Sequence, residues 1–430
     1  REPTVAARVI RQPGCRGGPV RPFSARSTHD LTENELTRAL ARARARGPVL
    51  DLTASNPTTV GLPCLSERGR AALAAPSVAT YEPLPFGLPD ARAAIAASYA
   101  SLGAQVAPAR VVCTASTSEA YSWLFGLLAD PGDEVLVPQP SYPLFAYLAR
   151  HQSVVPVPYP LRYDGAWHID LPELRARVGP RTRAVVLVSP NNPTGSYTKR
   201  HELEALLDLD VPLVSDEVFA RYPLLEARGR VDTVAGVQRG LVFALSGLSK
   251  EAALPQLKLG WLVAAGAPDR VDEALARLEI TADTFLSVGA PVQAAAPTLL
   301  EEAGAARGAI LDRLRENLAA LDVALGSTSP LTRLRVEGGW YVTVRLPRVP
   351  RGEAARSREG EVSGPHLGHE PERLDEDFAL ELLERDGVYV HPGSFFELDG
   401  AHVVLSLLTE PAQFRAGTLA LRQRADAALA

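Results

Sequence analysis

Short apolar runs recur along the first two thirds of the chain, each followed by a turn and then an amphipathic stretch. The runs are RVVCT (110–114), EVLVP (134–138), SVVPVPY (153–159), RAVVLVS (183–189), PLVSDEV (212–218), LVFALS (241–246) and LGWLVAA (259–265). Between them lie helix-like segments such as TSEAYSWLFGLLAD, PLFAYLARHQ, LPELRARV and HELEALLDL. Strands covered on both faces read as continuous apolar runs, and strands that alternate with helices pair in parallel. The pattern confines the chain to an α/β fold, a large domain with a mainly parallel seven-stranded sheet between helices.

From about 267 to 326 the pattern turns helical. RLRVEGGWYVTVRL, a helix near 374–386, GVYVHPG, AHVVLSLL and a last helix then describe a smaller α+β C-terminal domain. The expected division is a flexible extension (1–26), an N-terminal helix or arm (27–50), a large domain (51–290) and a small one (291–430). The charged, Gly- and Pro-rich stretch 348–372 reads as a mobile insertion in the small domain. A chain of 430 residues, 46% hydrophobic, has material for more than one lobe, since single cores stop growing near ~250–300 residues. The net charge of −5 provides no general attraction to nucleic acid or to an anionic membrane. No apolar stretch approaches the ~18–20 residues of a membrane span. Cys15, Cys64 and Cys113 form neither a disulfide framework nor a CxxC metal pair. A cytoplasmic protein is the expectation.

Ligands of open parallel sheets bind at the carboxyl ends of the strands. Four polar groups fall there: TASTSEA (114–120), SPNNPTG (189–195), SDEVF (215–219) and SGLSK (246–250). Singly, they are an N-cap, a turn and a solvated acid; their shared edge argues for a site.

Only Lys199, Lys250 and Lys258 are lysines, while the other 42 basic residues are arginines. An amine can lose its proton and attack a carbonyl to form an imine, which a guanidinium cannot do. Lysine at 250 therefore suggests covalent chemistry. Pyridoxal 5′-phosphate is the cofactor that combines a lysine imine with an acid at its ring nitrogen. Asp216 can be that acid, holding the pyridinium protonated. Ser116, Thr117 and Ser118 at a helix N-terminus suit a phosphate, and Tyr142 can stack on the ring.

With these residues in place, the chain from roughly 48 to 430 resembles the fold-type-I pyridoxal-phosphate enzymes of the class I/II aminotransferase family. SPNNPTG, SDEVF, SGLSKEAALPQLKLGW and YEPLPFGLPDARAAI stand in the family's order and approximate spacing. The resemblance implies that Lys250 forms the Schiff base and carries the proton. It places Asp216 at the pyridine nitrogen and Asn192 at the 3′-oxygen. Ser116, Thr117, Ser118, Ser249 and Lys258 fall in the phosphate-binding segments, and Tyr142 on the ring face. Tyr81 resembles the tyrosine that reaches the neighbouring subunit's phosphate, which implies a homodimer. DLTASNPTTVGL (51–62) matches the segment that covers the substrate. The partners implied are an amine donor and a 2-oxo acid acceptor.

Three positions depart from the family. Phe219 replaces a tyrosine bonded to the 3′-oxygen, and Lys258 replaces a phosphate-binding arginine. Val404 stands where an arginine clamps the substrate α-carboxylate, with Arg335 or Arg415 as candidate substitutes. Trp340 reads as a core residue, His391 as a turn-stabilising one and Glu119 as a first-turn acid. Glu217 faces away from Asp216 as a solvated or capping residue. An aminotransferase is the leading expectation. The alternatives are a C–S β-eliminating lyase, racemase or decarboxylase with the same cofactor, or a non-catalytic binder of it.

Overall fold

Strands covered by helices on both sides need side chains that are apolar at every position, and the central runs meet that demand. In the computed structural model, which describes residues 23–29, 31–62, 65–75, 79–347 and 374–429, all seven runs form strands. The expected extension (apart from 23–26) and the 348–372 insertion lie outside the described residues.

After a short β1 (Leu50–Asp51), the large sheet is built from β2 (Val111–Thr114), β3 (Glu134–Gln139), β4 (Val155–Tyr163), β5 (Trp167–Ile169), β6 (Thr182–Val188), β7 (Leu213–Asp216), β8 (Leu241–Gly247) and β9 (Gly260–Gly266). Its spatial order is β2-β9-β8-β7-β6-β3-β4-β5. Strands β4, β3, β6, β7 and β8 pair in parallel, while β9 runs antiparallel between β8 and β2. The expected count of seven is corrected to eight: β5 pairs antiparallel with β4 at one edge. Three residues are too few to show a periodicity.

Alternate residues of each strand serve opposite faces. Val185 and Leu187 pack with helices Pro89–Ser98, Leu171–Arg177 and Arg200–Leu207. Ala184 and Val186 pack with helices Thr117–Leu128, Phe145–His151 and Pro268–Phe285.

Beyond the large sheet lie β10 (Thr332–Arg333), β11 (Tyr341–Arg345), β12 (Val388–Tyr389), β13 (His391–Pro392) and β14 (His402–Ser406). Strands β10-β11-β14-β13 pair antiparallel, and β12 pairs in parallel with β1. The helix Glu35–Arg46 starts where the Asn34 side chain accepts the Thr37 N–H at 2.8 Å. Its Leu36, Ala39, Leu40 and Ala43 form one apolar stripe, buried in the same core as Leu382 and Leu383 of helix Leu374–Asp386. Helix Ala290–Leu325 serves both cores, with Val292 to Ala303 against the large sheet and Ala306 to Leu325 in the small-domain core.

Candidate active site

Strands β7 and β8 are neighbours with Asp216 opposite Leu245. Asp216 is the last residue of β7, and β8 runs straight into the single helical turn Leu248–Glu251 that carries Ser249 and Lys250. Adjacency in the sheet thus brings an acid and an amine together. Burial pushes the Lys250 amine down to about 8, against the opposing pull of Asp216. Burial also pushes Asp216 up to about 6, although the Val218 N–H, the Tyr121 hydroxyl and the Lys250 charge all favour its ionised form. The Lys250 Nζ lies 4.6 Å from the centre of the Trp340 ring and 5.7 Å from that of Phe219. The Tyr222 hydroxyl donates to the Lys250 carbonyl at 2.5 Å and so fixes its backbone.

The hydroxyl segment lies beside this pair. Ser116 caps helix Thr117–Leu128, its Oγ accepting the Glu119 N–H at 3.2 Å, while Glu119 accepts the Ala115 N–H at 2.7 Å. The free amides at this N-terminus and the helix dipole suit an anion. Gly260 sits opposite Thr114 on β2 and Gly247 on β8. A Cβ on Gly260 would meet the Ser116 carbonyl carbon at 2.9 Å and the Thr117 nitrogen at 3.0 Å. Glycine therefore lets β9 press against the helix start. Lys258, two residues earlier, has left-handed backbone (φ 54°), is exposed, and has no acid paired with it among the described residues.

Gly260→Ala must displace backbone on one side or the other, an overpacking that costs about 1–3 kcal/mol. A lowered denaturant midpoint and at least about tenfold weaker phosphate-cofactor binding are expected. An unchanged cofactor titration would contradict this role for Gly260.

One functional candidate was missed in the sequence. The Tyr121 hydroxyl reaches the Asp216 Oδ2 at 3.3 Å, linking the capped helix to the acid. Tyr121 stands in an apolar helical stretch and looks like core there; its four-residue spacing from Thr117 was the available signal. Trp340 is fully buried as expected, yet it also touches the lysine amine. His391 is held near pKa 4 by burial, despite Asp51, and packs on Tyr389, Phe395 and Phe396.

Asn192 follows β6, whose Val188 lies opposite Asp216, and Ser189 N donates to the Asp216 carbonyl at 2.9 Å. The Asn192 Oδ1 is buried without a hydrogen-bond partner among the described residues. Tyr142 is 41% exposed and its nearest ring neighbour is Phe396 at 6.5 Å. Tyr81 is 76% exposed and lines a separate cavity of about 350 Å³ with Cys113 and Gln293. Lys199 is accounted for elsewhere, donating to the Tyr197 carbonyl at 2.8 Å and pairing with the buried Glu337.

Glu217 does face away from Asp216, but it is buried and not solvated. It accepts hydrogen bonds from Thr233 Oγ1 at 2.6 Å, Val234 N at 2.8 Å and Ser215 Oγ at 3.1 Å. Burial pushes it up to about 7. Between pH 4.5 and 7 the folded chain keeps a proton that the unfolded chain has released, so stability falls as pH rises through that window. The loss is on the order of 3 kcal/mol. The melting temperature of Glu217→Gln is expected to fall less from pH 5 to 7.5 than the wild-type value; equal falls would contradict this.

Residues 47–416 match the family described as Aminotransferase class I and II. The chain belongs to that family. Aspartate/prephenate aminotransferase of Thermus thermophilus is 29% identical over 391 residues, spanning 88% of this chain and 91% of that one. A probable aspartate/prephenate aminotransferase of Thermus aquaticus is 35% identical over 187 residues, 42% of this chain and about half (48%) of its own length. A solved Thermus thermophilus aspartate aminotransferase double mutant superposes with a TM-score of 0.75 at 26% identity, covering 94% of this chain and 100% of that one. The expected aminotransferase family, its fold and its dependence on pyridoxal 5′-phosphate are borne out.

The residues present fit that cofactor. The Gly260 contact leaves a tight backbone cradle at Ser116–Thr117, Lys250 is the amine with the depressed pKa, and Asp216 is the buried acid beside it. Among the described residues, no helix is long and apolar enough to cross a membrane.

Proposed function

We propose that this aminotransferase-family chain moves an amino group from an amino acid or primary amine to a 2-oxo acid, with Lys250 as the catalytic amine. The observation that carries the reading is the Lys250–Asp216 pair at one sheet edge, with the amine pushed down to about 8 and the acid pushed up to about 6. When bound, pyridoxal 5′-phosphate supplies an aldehyde that takes up the donor nitrogen and a cationic ring that accepts electron density. In this reading Ser116, Thr117, Ser118, Ser249 and Lys258 hold the phosphate, Asp216 faces the ring nitrogen and Asn192 the 3′-oxygen. Tyr142 covers the ring.

An amine of pKa near 8 is roughly a tenth neutral at pH 7, against a few parts in ten thousand for an unshifted lysine. Lys250 can therefore act as nucleophile and then move a proton at the donor carbon. Trp340 and Phe219 exclude water beside its Nζ, which keeps the amine desolvated. Tyr121 orients Asp216.

The division into a large cofactor-binding domain and a small one is supported by the separate apolar cores, with helix Ala290–Leu325 passing from the first to the second between Ala303 and Ala306. The small-domain core also takes in Leu36, Leu40 and Leu52 from the N-terminal segment. A homodimer, with Tyr81 reaching the neighbouring subunit's phosphate, is supported by the high exposure of Tyr81 beside that of Leu84 and Phe285. A cytoplasmic location accords with the sparse cysteines.

A donor amine should bleach the visible absorption of the purified holoprotein, and a 2-oxo acid should restore it with stoichiometric consumption. Release of ammonia and pyruvate from cystathionine without a 2-oxo acid would instead establish the lyase reading, which Val404 and Phe219 favour.

A further inference from the structure

Aromatic rings lie against the Lys250 amine, and among the described residues no cation acts on it. Trp340 and Phe219 lie against Nζ, and Phe219 in turn packs on Trp340 at 5.3 Å and edge-on to Tyr341 at 6.2 Å. Tyr341 begins β11, whose Thr343 stands opposite Val404 of β14; His391 stands opposite Val404 on the other side. Val404 is 1% exposed. His391 is held neutral by burial.

The two arginines named as substitutes, Arg335 and Arg415, and Arg313 beside the covering segment are engaged with other groups among the described residues. The Arg335 guanidinium donates to the Glu226 carbonyl at 2.6 Å and lies 3.9 Å from Glu337. Arg415 pairs with Glu316 at 2.8 Å, with both side chains about half exposed. Arg313 donates to the Val60 and Leu408 carbonyls, tying the covering segment to the strand end. The charge acting on the Lys250 amine is that of Asp216, which offers no attraction to a carboxylate. A buried anion without a facing cation is disfavoured.

Building on the transaminase reading, we propose that the preferred donor is a primary amine with an apolar or aromatic body and no carboxylate on its reacting carbon, Val404 setting this preference. The donor carbon gives up a proton and an electron pair, its nitrogen passes to the cofactor's aldehyde carbon, and water provides the oxygen with which the donor leaves as an aldehyde. Pyridoxal 5′-phosphate, when bound, would take up that nitrogen and electron pair, and the 2-oxo acid would remove both in the second half-reaction. The same absence of a cation makes the 2-oxo acid saturate only at high concentration.

The test compares phenethylamine with phenylalanine, which differ only in the carboxylate, by single-turnover bleaching of wild-type holoenzyme. Phenethylamine is expected to react at least as efficiently in kcat/KM. A preference for phenylalanine above ~100-fold, the size of effect a facing cation provides, would overturn the inference. Bleaching by neither compound, nor by any of a wider amine panel, would overturn the transaminase reading and the inference with it. Calorimetry gives a readout without turnover. Hydrocinnamate, which has the carboxylate but no amine, should bind the wild type weakly and a folded Val404→Arg variant about 100-fold more tightly. Tight binding to the wild type would contradict the proposal. The wild-type comparisons stand even if that variant fails to fold.

Discussion

Replacing Lys250 with alanine is expected to lower kcat/KM for transamination at least about ten-thousand-fold, because one nitrogen serves as both nucleophile and proton carrier. The fold should survive. The amine sits desolvated against Trp340 and Phe219, and the backbone of residue 250 stays tied to the Tyr222 hydroxyl. Lys250→Arg separates chemistry from charge, since it keeps a cation near Asp216 but removes the titratable amine. It should be as inactive as the alanine variant. Melting curves establish folding, and single-turnover spectra with donor establish the chemistry. Activity above a hundredth of wild type in either variant would require another residue to do this work.

The second large effect belongs to the acid. Asp216→Asn retains the shape and one acceptor for the Val218 N–H, which Asp216 now receives at 3.2 Å, but removes the negative charge. If that charge holds the cofactor ring cationic, kcat should fall about 100- to 1,000-fold. The cofactor should remain bound through the Ser116–Thr117 cradle. The pH dependence of stability should change as well. Asp216 is raised from 3.8 to about 6, so the cofactor-free wild type loses stability as pH rises from about 4 to 6. The asparagine variant should lack that component. A variant with near-wild-type kcat would show that the carboxylate does not act on the ring.

Those two residues were visible in the sequence because each is chemically unusual where it stands. Lys250 is a lysine in a chain that otherwise writes its cations as arginine, and Asp216 ends an apolar strand. The strands β6, β8 and β9 were equally plain, since apolar side chains fill nearly every position. Other features depend on contacts that local sequence does not encode. β5 has three residues and exists because β4 extends past its parallel partner to pair with it. The opposite facing of Glu217 follows from the period of two along a strand. Its burial follows from donors at Thr233 and Val234, in a loop with no motif of its own. The stripe on helix Glu35–Arg46 announces a buried face, but its cover arrives more than 300 residues later in the chain. Tyr121 looked like packing because its helix is apolar, and only the fold carries its hydroxyl to Asp216.

The scarcity of lysine makes the central claim directly testable. Borohydride reduction of the purified holoprotein, followed by peptide mapping, should place a single phosphopyridoxyl adduct on the peptide containing Lys250, with Lys199 and Lys258 unmodified. An adduct on either of those two lysines, or none in protein that retains its visible absorption, would contradict the assignment of Lys250 as the cofactor-bonding amine.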